Sequence, residues 1–405
     1  MKVFSDTAAT GLTAYAQPYG LAADSADDLI IGGAFQSNID FGGGALVPPA
    51  GKTKAGFVVS LDGTNGSHRW SSVAQPSGQT DVVPVFFAPD ALGKISFGTG
   101  WSGLATNGDI GSGVLLGKYD STGATVWSHQ SVAPSAGAYV QENALGSDAA
   151  GSSYAALLIK NDALPGGGSA ALSGTYFVKY DATGTLQVSK QLTDPVGAVV
   201  FNRSGEAFVL RQTVQPADTV SKLDNAGNIV WSKTVGLGTL AAARLTADPT
   251  GNLFLAVPFP AQSAVSLGST TVSGPNNTNA SSVALFKLDT NGNVLWGHAF
   301  SQIGGTSLGF SLAATDGLGD YYFACAISGT NADFGGGTMA TGYYLVKLTP
   351  AGVFQWEIAT KSLAFVMAGA RSTGELFMAS NDTKLDLGTG PVFATTGFAV
   401  AKIGP

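Results

Sequence analysis

A chain of 405 residues that is 44% hydrophobic and only 12% charged has ample material for a core, which excludes disorder. With 20 Lys and Arg against 27 Asp and Glu, the net charge of −7 offers no basic field to hold a phosphate backbone, so nucleic acid is excluded as a partner. No run approaches the ~18 uninterrupted apolar residues of a membrane helix, and Cys325, the only cysteine, forbids an intramolecular disulfide.

In chain order, the opening Met1-Lys2-Val3-Phe4-Ser5-Asp6 lacks the apolar core of a signal peptide. It matches the stretch after Trp296, Gly297-His298-Ala299-Phe300-Ser301, and would place the corresponding aromatic one residue before Met1. The first residues are therefore expected to supply a strand to the end of the chain. From there a turn of the form apolar-Lys-apolar-Asp-x-x-Gly-x-x-x-Trp recurs, with variations, at Asp62, Asp120, Asp181, Asp224, Asp289, Thr349 and, truncated, Gly404. An earlier turn precedes most of these, as at Asp90 to Gly93, Asp148 to Gly151, Asp248 to Gly251 and Asp316 to Gly319. Asp suits the first position because its carboxylate accepts from nearby backbone N–H groups, and Gly supplies the positive φ that closes a hairpin.

Between turns the segments are short, rich in Val, Leu, Phe and Tyr, and free of a helical period, so each unit reads as a four-stranded antiparallel meander. Seven such units predict an all-β fold, a seven-bladed β-propeller in one domain over 1–405, its last blade closed by the N-terminal strand. The expected blades are 7–76, 77–133, 134–193, 194–236, 237–301, 302–360 and 361–405 with 1–6. The recurring Trp is expected on the outer strand, packed between neighbouring sheets.

Two units carry a further pattern: Leu29 to Phe35 followed by Ile39-Asp40-Phe41-Gly-Gly-Gly44, and Phe323 followed by Ala332-Asp333-Phe334-Gly-Gly-Gly337. With these the chain resembles the bacterial SBBP-type β-propeller repeat over nearly its whole length, least so in the short fourth unit. The resemblance implies the fold and a secreted or surface setting; it brings no catalytic residues. The abundance of Ser, Thr, Asn and Gly over Lys and Glu points the same way, to an exported bacterial protein, extracellular or at the cell surface, with this sequence expected to be a mature or trimmed form.

Chemistry-bearing candidates are few. The Gly-Gly-Gly triplets lack the strand-to-helix context of a phosphate cradle, and the Asp224 and Asp289 loops pass into apolar strands before completing a calcium set. His68, His129 and His298 fall in different units, which argues against zinc or a triad. No metal or cofactor is expected. On the inner strands Glu142, Asn143 and Arg244 are the polar exceptions and are expected to line the channel. The connections opposite the tight turns, such as 36–55, 72–82, 102–112 and 257–281, are long and dissimilar, so that face is the expected recognition surface, with Phe35, Trp101, Tyr139 and Phe259 beside it. The expected function is non-enzymatic: a binding or scaffolding module for a protein or carbohydrate ligand, as a monomer or part of a longer chain. The alternative is a propeller hydrolase or lyase working at the central channel through groups such as Glu142 and Arg244.

Overall fold

The computed structural model describes residues 2–4, 6–7, 16–50, 54–74, 81–104, 110–131, 139–167, 171–193, 196–211, 218–236, 243–260, 263–274, 281–302, 308–328, 332–381, 387 and 398–404. Seven small antiparallel sheets of four strands stand in a ring and form a seven-bladed propeller. Strands are named A to D in chain order within each blade. Blade 1 is Ala16–Ala23, Leu29–Phe35, Ala55–Leu61 and His68–Ala74, and blade 2 is Asp81–Pro89, Ile95–Leu104, Ile110–Tyr119 and Thr125–Gln130. Blade 3 is Tyr139–Ser147, Ser153–Asp162, Leu172–Tyr180 and Leu186–Leu192, and blade 4 is Val196–Phe201, Ala207–Arg211, Thr219–Leu223 and Ile229–Gly236. Blade 5 is Arg244–Ala247, Leu253–Pro260, Ser281–Leu288 and Val294–Gln302, and blade 6 is Leu308–Thr315, Tyr321–Ile327, Gly342–Leu348 and Phe354–Thr360. Blade 7 takes Val366–Gly369, Leu376–Ser380 and Phe398–Ile403 from the chain's end and Lys2–Phe4 from its start.

That last pairing runs Lys2↔Val400, Val3↔Ala399 and Phe4↔Phe398, so the expected N-terminal closure is present. In blades 2, 4, 5 and 6 the Trp of strand D lies opposite the Lys of strand C (Lys118↔Trp127, Lys222↔Trp231, Lys287↔Trp296, Lys347↔Trp356). Continuing the blade 7 register, the position opposite Lys402 falls one residue before Met1, as the sequence comparison placed it.

Each strand A packs on the strand A of the next blade, and that of blade 7 returns to blade 1, so the seven inner strands surround the axis. Strands B and C are covered on both faces by neighbouring blades, which is why Leu29–Phe35 and Ala55–Leu61 are buried at every position. Strands D lie at the rim and alternate, as in Leu186–Leu192 and Phe354–Thr360. The recurring Trp seals the seams as expected: at Gly123 (φ +83) a Cβ would come within 2.6 Å of Trp70 of the preceding blade. Trp231 and Trp296 also donate their indole N–H across the seam, to Thr290 O and Pro350 O, each at 3.1 Å.

Antiparallel order puts every A–B and C–D turn on one face and every B–C and D–A connection on the other. The long connections do more than ride on the blades. Residues 38–46 form a hairpin in which Ile39 and Phe41 are fully buried, the Phe41 ring lying 5.1 Å from Phe57 of blade 1 and 5.9 Å from Phe398 of blade 7. In the same way Phe334 sits 5.2 Å from Phe300 of blade 5 and 5.1 Å from Phe323 of blade 6. The glycines that follow close tight loops on the preceding carboxylate, Gly42 N and Gly44 N donating to Asp40 and Gly335 N and Gly337 N to Asp333. A second hairpin, Ala264–Leu267 with Thr270–Ser273, joins the outer strand of blade 4 and buries Val265, Leu267 and Val272. These connections are seam plugs.

Candidate binding site at the channel mouth

The seven A–B turns ring one end of the channel. Their first residue is Asp in blades 1, 2, 3, 5 and 6 (Asp24, Asp90, Asp148, Asp248, Asp316), Asn202 in blade 4 and Ala370 in blade 7, whose turn is one residue longer and carries Arg371 second. One side-chain oxygen caps the turn: Asp90 accepts from Leu92 N at 2.8 Å and Lys94 N at 3.0 Å, Asn202 from Ser204 N at 3.0 Å and Glu206 N at 3.1 Å.

The second oxygen meets the strand C lysine of the repeat, whose purpose the sequence left unread. Lys118 lies 2.7 Å from Asp90 with both side chains fully buried, and Lys287 lies 3.1 Å from Asp248. The ammonium then donates across the seam, Lys118 to Gly151 O at 2.8 Å and Lys287 to Pro350 O at 3.2 Å. Each such lysine ties its own A–B turn to the next blade. Burial pushes the Lys118 amine below its usual range, and the Asp90 contact opposes that. Burial likewise works to raise Asp148 and Asp248, but hydrogen bonds from Tyr154 and Ser152 to the first, and from Thr250 and Asn252 to the second, prevail and hold both below the usual carboxylate range. Asp316 goes the other way, raised chiefly by burial.

In blades 4 and 7 the first turn residue is not acidic, and the carboxylate comes instead from the last: Glu206 to Lys222 and Glu375 to Lys402, both at 2.9 Å. Blade 6 is intermediate, with Lys347 at 3.9 Å from Asp316 and 2.9 Å from Asp320. Blade 1 has Ser60 at the lysine position, and Asp28 at the fifth turn position pairs with Arg69 instead at 2.5 Å. The two blades that move the carboxylate are the two that place an arginine at the mouth, Arg371 and Arg203, each at the second turn position.

Both arginines line the same opening, a recess of about 340 Å³ shared with Ser25, Asp90, Asp148 and Ser372, and a smaller one of about 200 Å³ whose wall includes Leu145, Phe87 and Phe201. Arg371 reaches over to blade 2, its Nη1 donating to Pro89 O at 2.9 Å. Its backbone N–H and that of Ser372 are held by the Asp27 carboxylate of blade 1, which also takes the Ser372 hydroxyl. Asp27 itself has φ +61, filling the left-handed position that glycine takes in the turns of blades 2 to 6. This clasp joins blade 7 to blade 1 at the mouth, beside the strand pairing below it. The Arg203 guanidinium, by contrast, makes no hydrogen bond or ion pair among the described residues. Desolvation of the guanidinium in the recess, and secondarily the like charge of Arg371, lower its pKa to about 10, and it stays cationic at neutral pH. A rigid ring thus presents two guanidiniums beside small hydroxyls, an arrangement suited to a planar carboxylate.

The residues singled out from sequence lie toward the other end of the channel. Trp101 falls on strand B of blade 2, and Tyr139, Glu142 and Asn143 on strand A of blade 3; their side chains lie outside the described residues. Arg244 begins strand A of blade 5, half-buried, its Nη1 donating to Ala243 O at 3.1 Å. Phe259 is not available for stacking: it is 4% exposed and packs with Val257, Val265 and Val272 beneath the 264–273 hairpin. Phe35 is fully buried beside Phe57, at 6.2 Å. Both look exposed in sequence because they end a strand, and both are covered by the long connection that follows. Arg203 and Arg371 went unnoticed, although each is visible as a departure once the seven turns are aligned.

No family model matches the chain, and no curated relative does. Solved propellers resemble it in shape at low identity. The β-propeller domain of Myceliophteria thermophila Cps50 (Swd1) has a TM-score of 0.47 at 12% identity, over 93% of this chain and 96% of that one. The C-terminal WD40 domain of Sif2 has a TM-score of 0.46 at 8% identity, over 93% and 95%. The quinohemoprotein alcohol dehydrogenase of Comamonas testosteroni has 0.40 at 12%, over 91% and 72%. At these values none of them bears on what this chain binds.

Proposed function

We propose that this propeller is an extracellular, non-enzymatic binding or scaffolding module of the SBBP-repeat type, and that it holds a carboxylate-bearing partner, an acidic protein segment or an acidic glycan, at the tight-turn mouth. The observation that carries the reading is the convergence of Arg203 and Arg371 on one opening at the two turns where the repeat departs from its pattern, each departure compensated by a glutamate at the end of the turn. Lys118, Lys222, Lys287, Lys347 and Arg371 each donate to another blade, whereas no such bond is made by the Arg203 guanidinium among the described residues. Acid–base chemistry is less well served. Asp24 is raised by burial near Arg371, but one of its oxygens already caps Ala26 N at 2.8 Å and Asp28 N at 3.0 Å.

The test is calorimetric titration with an oligoglutamate peptide and with an oligogalacturonate at low salt. Arg203→Ala should weaken the favoured probe at least about tenfold, the loss of a charge-assisted hydrogen-bonding partner, with melting unchanged. Salt should weaken binding further. Equal affinity in Arg203→Ala and the parent protein would reject the site, and turnover of the glycan probe would reject the non-enzymatic reading.

A further inference from the structure

The opening at the mouth does not end at the two arginines. Its outer recess, of about 340 Å³, is walled by turn residues of blades 1, 2, 3, 4 and 7, among them Ser25, Ala91, Ala149, Arg203 and Ser372. The recess of about 200 Å³ lies one level further down the axis, at the last residues of four neighbouring inner strands, Ala23, Pro89, Ser147 and Phe201, with Phe87 and Leu145 in its wall. Arg203, Arg371 and Ser147 border both recesses, so the guanidiniums stand between an outer and an inner compartment.

The inner compartment is held in shape from behind. Phe201 lies against Gly146, where an added Cβ would come within 2.4 Å of it, and its ring is 5.9 Å from those of Tyr154 and Phe177. The Ser147 hydroxyl donates to Ala88 O at 2.7 Å and ties the inner strands of blades 2 and 3 together at this depth. The other polar side chains of the wall are engaged as well: Asn202 caps its own turn and donates to Glu206 at 2.8 Å, and Arg371 donates to Pro89 O. Among the side chains, that leaves the Arg203 guanidinium and the partly buried Phe87, Leu145 and Phe201 to meet a ligand.

We propose that the mouth takes the C-terminal residue of a partner polypeptide, one with an apolar side chain. The inference rests on the carboxylate reading above and says which carboxylate is bound. A glutamate side chain or a uronic acid carries nothing beyond its carboxylate, so its pairing with Arg203 would leave the inner compartment and its apolar side chains unfilled. At a chain terminus the carboxylate and the last side chain branch from one Cα. The carboxylate pairs with Arg203, the side chain continues down the axis among Phe87, Leu145 and Phe201, and the preceding residue occupies the outer recess. A recess enclosed by five blades also admits the end of a chain more readily than its middle.

The experiment is calorimetric titration of the full chain at low salt with four N-acetylated peptides. Three are neutral Gly-Ser pentapeptides, one ending in Leu with a free carboxylate, one ending in Leu amide, and one ending in Gly with a free carboxylate. The fourth is an oligoglutamate amidated at its C-terminus. The Leu-terminated acid should bind, and amidation should weaken it at least about tenfold through loss of the charged partner of Arg203. Replacing the last Leu by Gly should weaken it at least about tenfold as well, through loss of the buried side chain. Arg203→Ala should remove the difference between the Leu acid and its amide. The inference fails if the amide binds as the acid does, or if the Gly-terminated acid binds as the Leu-terminated one does. Amidated oligoglutamate that binds through Arg203 while the Leu-terminated acid does not would keep the carboxylate site and overturn this assignment. Silence from the oligoglutamate and from both free acids would overturn the two together.

Discussion

Blades 2 and 4 solve one problem in two ways. In blade 2 the first turn residue, Asp90, both caps its turn and neutralises Lys118; in blade 4 Asn202 caps and Glu206 neutralises Lys222. A buried lysine must have a carboxylate, because an unpaired charge taken from water costs several kcal/mol, but nothing requires that the carboxylate also cap the turn. Separating the two duties leaves the turn free to vary. Blade 4 and, more fully, blade 7 use that freedom to bring an arginine to the axis, whereas blade 2 keeps Ala91 at the position of Arg203. Position along the turn, and not residue content, distinguishes a structural blade from one that can face a ligand.

The comparison breaks most visibly where burial is greatest. Lys118→Met would leave Asp90 buried without a counter-charge and should cost about 3–5 kcal/mol in urea unfolding. Lys402→Met, whose pair is 34% and 24% exposed, should cost less than about 1 kcal/mol. Adding Asp90→Asn to Lys118→Met should restore much of the loss, since Asn keeps the cap; a double variant no better than the single one would show that the lysine's bond to Gly151 O matters more than its ion pair.

The seams sharpen the same contrast between buried and partly buried positions. Trp70 is 8% exposed whereas Trp231 is half-buried. Trp70→Ala should cost about 3–4 kcal/mol and Trp231→Ala roughly half of that. Equal losses, measured as unfolding midpoints, would mean that the hydrogen bond from Trp231 to Thr290 O makes up for its missing contact area.

Much of this architecture could be read from residue order because its determinants are local. An Asp whose carboxylate closes its own turn, a Gly at positive φ and a Trp four residues later lie within one hairpin, and even the register at residue 2 followed from comparing two short stretches. The lysine's role was not legible, since it depends on strand C ending beside the A–B turn, a contact between segments far apart in sequence. Phe35 and Phe259 misled for a related reason: a strand-end aromatic looks exposed until the following connection folds back over it. The mouth arginines were on the page as exceptions to a repeat, but an exception acquires meaning only once the ring sets the turns side by side.

Acid titration isolates one arm of the comparison. The Asp248 carboxyl is held below its ordinary 3.8 by hydrogen bonds that outweigh its burial. A lowered folded pKa contributes stability that is present above the unfolded value and is lost as pH falls through the folded one. Asp248→Asn should therefore be less stable than the parent at pH 7 and should lose less between pH 5 and pH 2, the two stability curves converging in acid. Parallel curves over that range would show that the lowered carboxyl does not contribute.

The smallest effect is expected from rewriting blade 4 in the form of blade 2. Asn202→Asp with Glu206→Ser returns the carboxylate to the first turn position, keeps the cap, and leaves Lys222 a partner at the place where Lys287 finds Asp248. Because charge number and capping are conserved, stability should change by less than about 1 kcal/mol, the span of one net hydrogen bond. Arg203 would then have a carboxylate two residues closer along its own turn. Binding of the oligoglutamate probe should fall severalfold while the melt stays in place, since an acid at the mouth competes with the ligand for the guanidinium. If stability drops by several kcal/mol instead, the fifth-position glutamate is a structural requirement of blade 4 in its own right, and the freedom inferred from comparing the two blades does not exist.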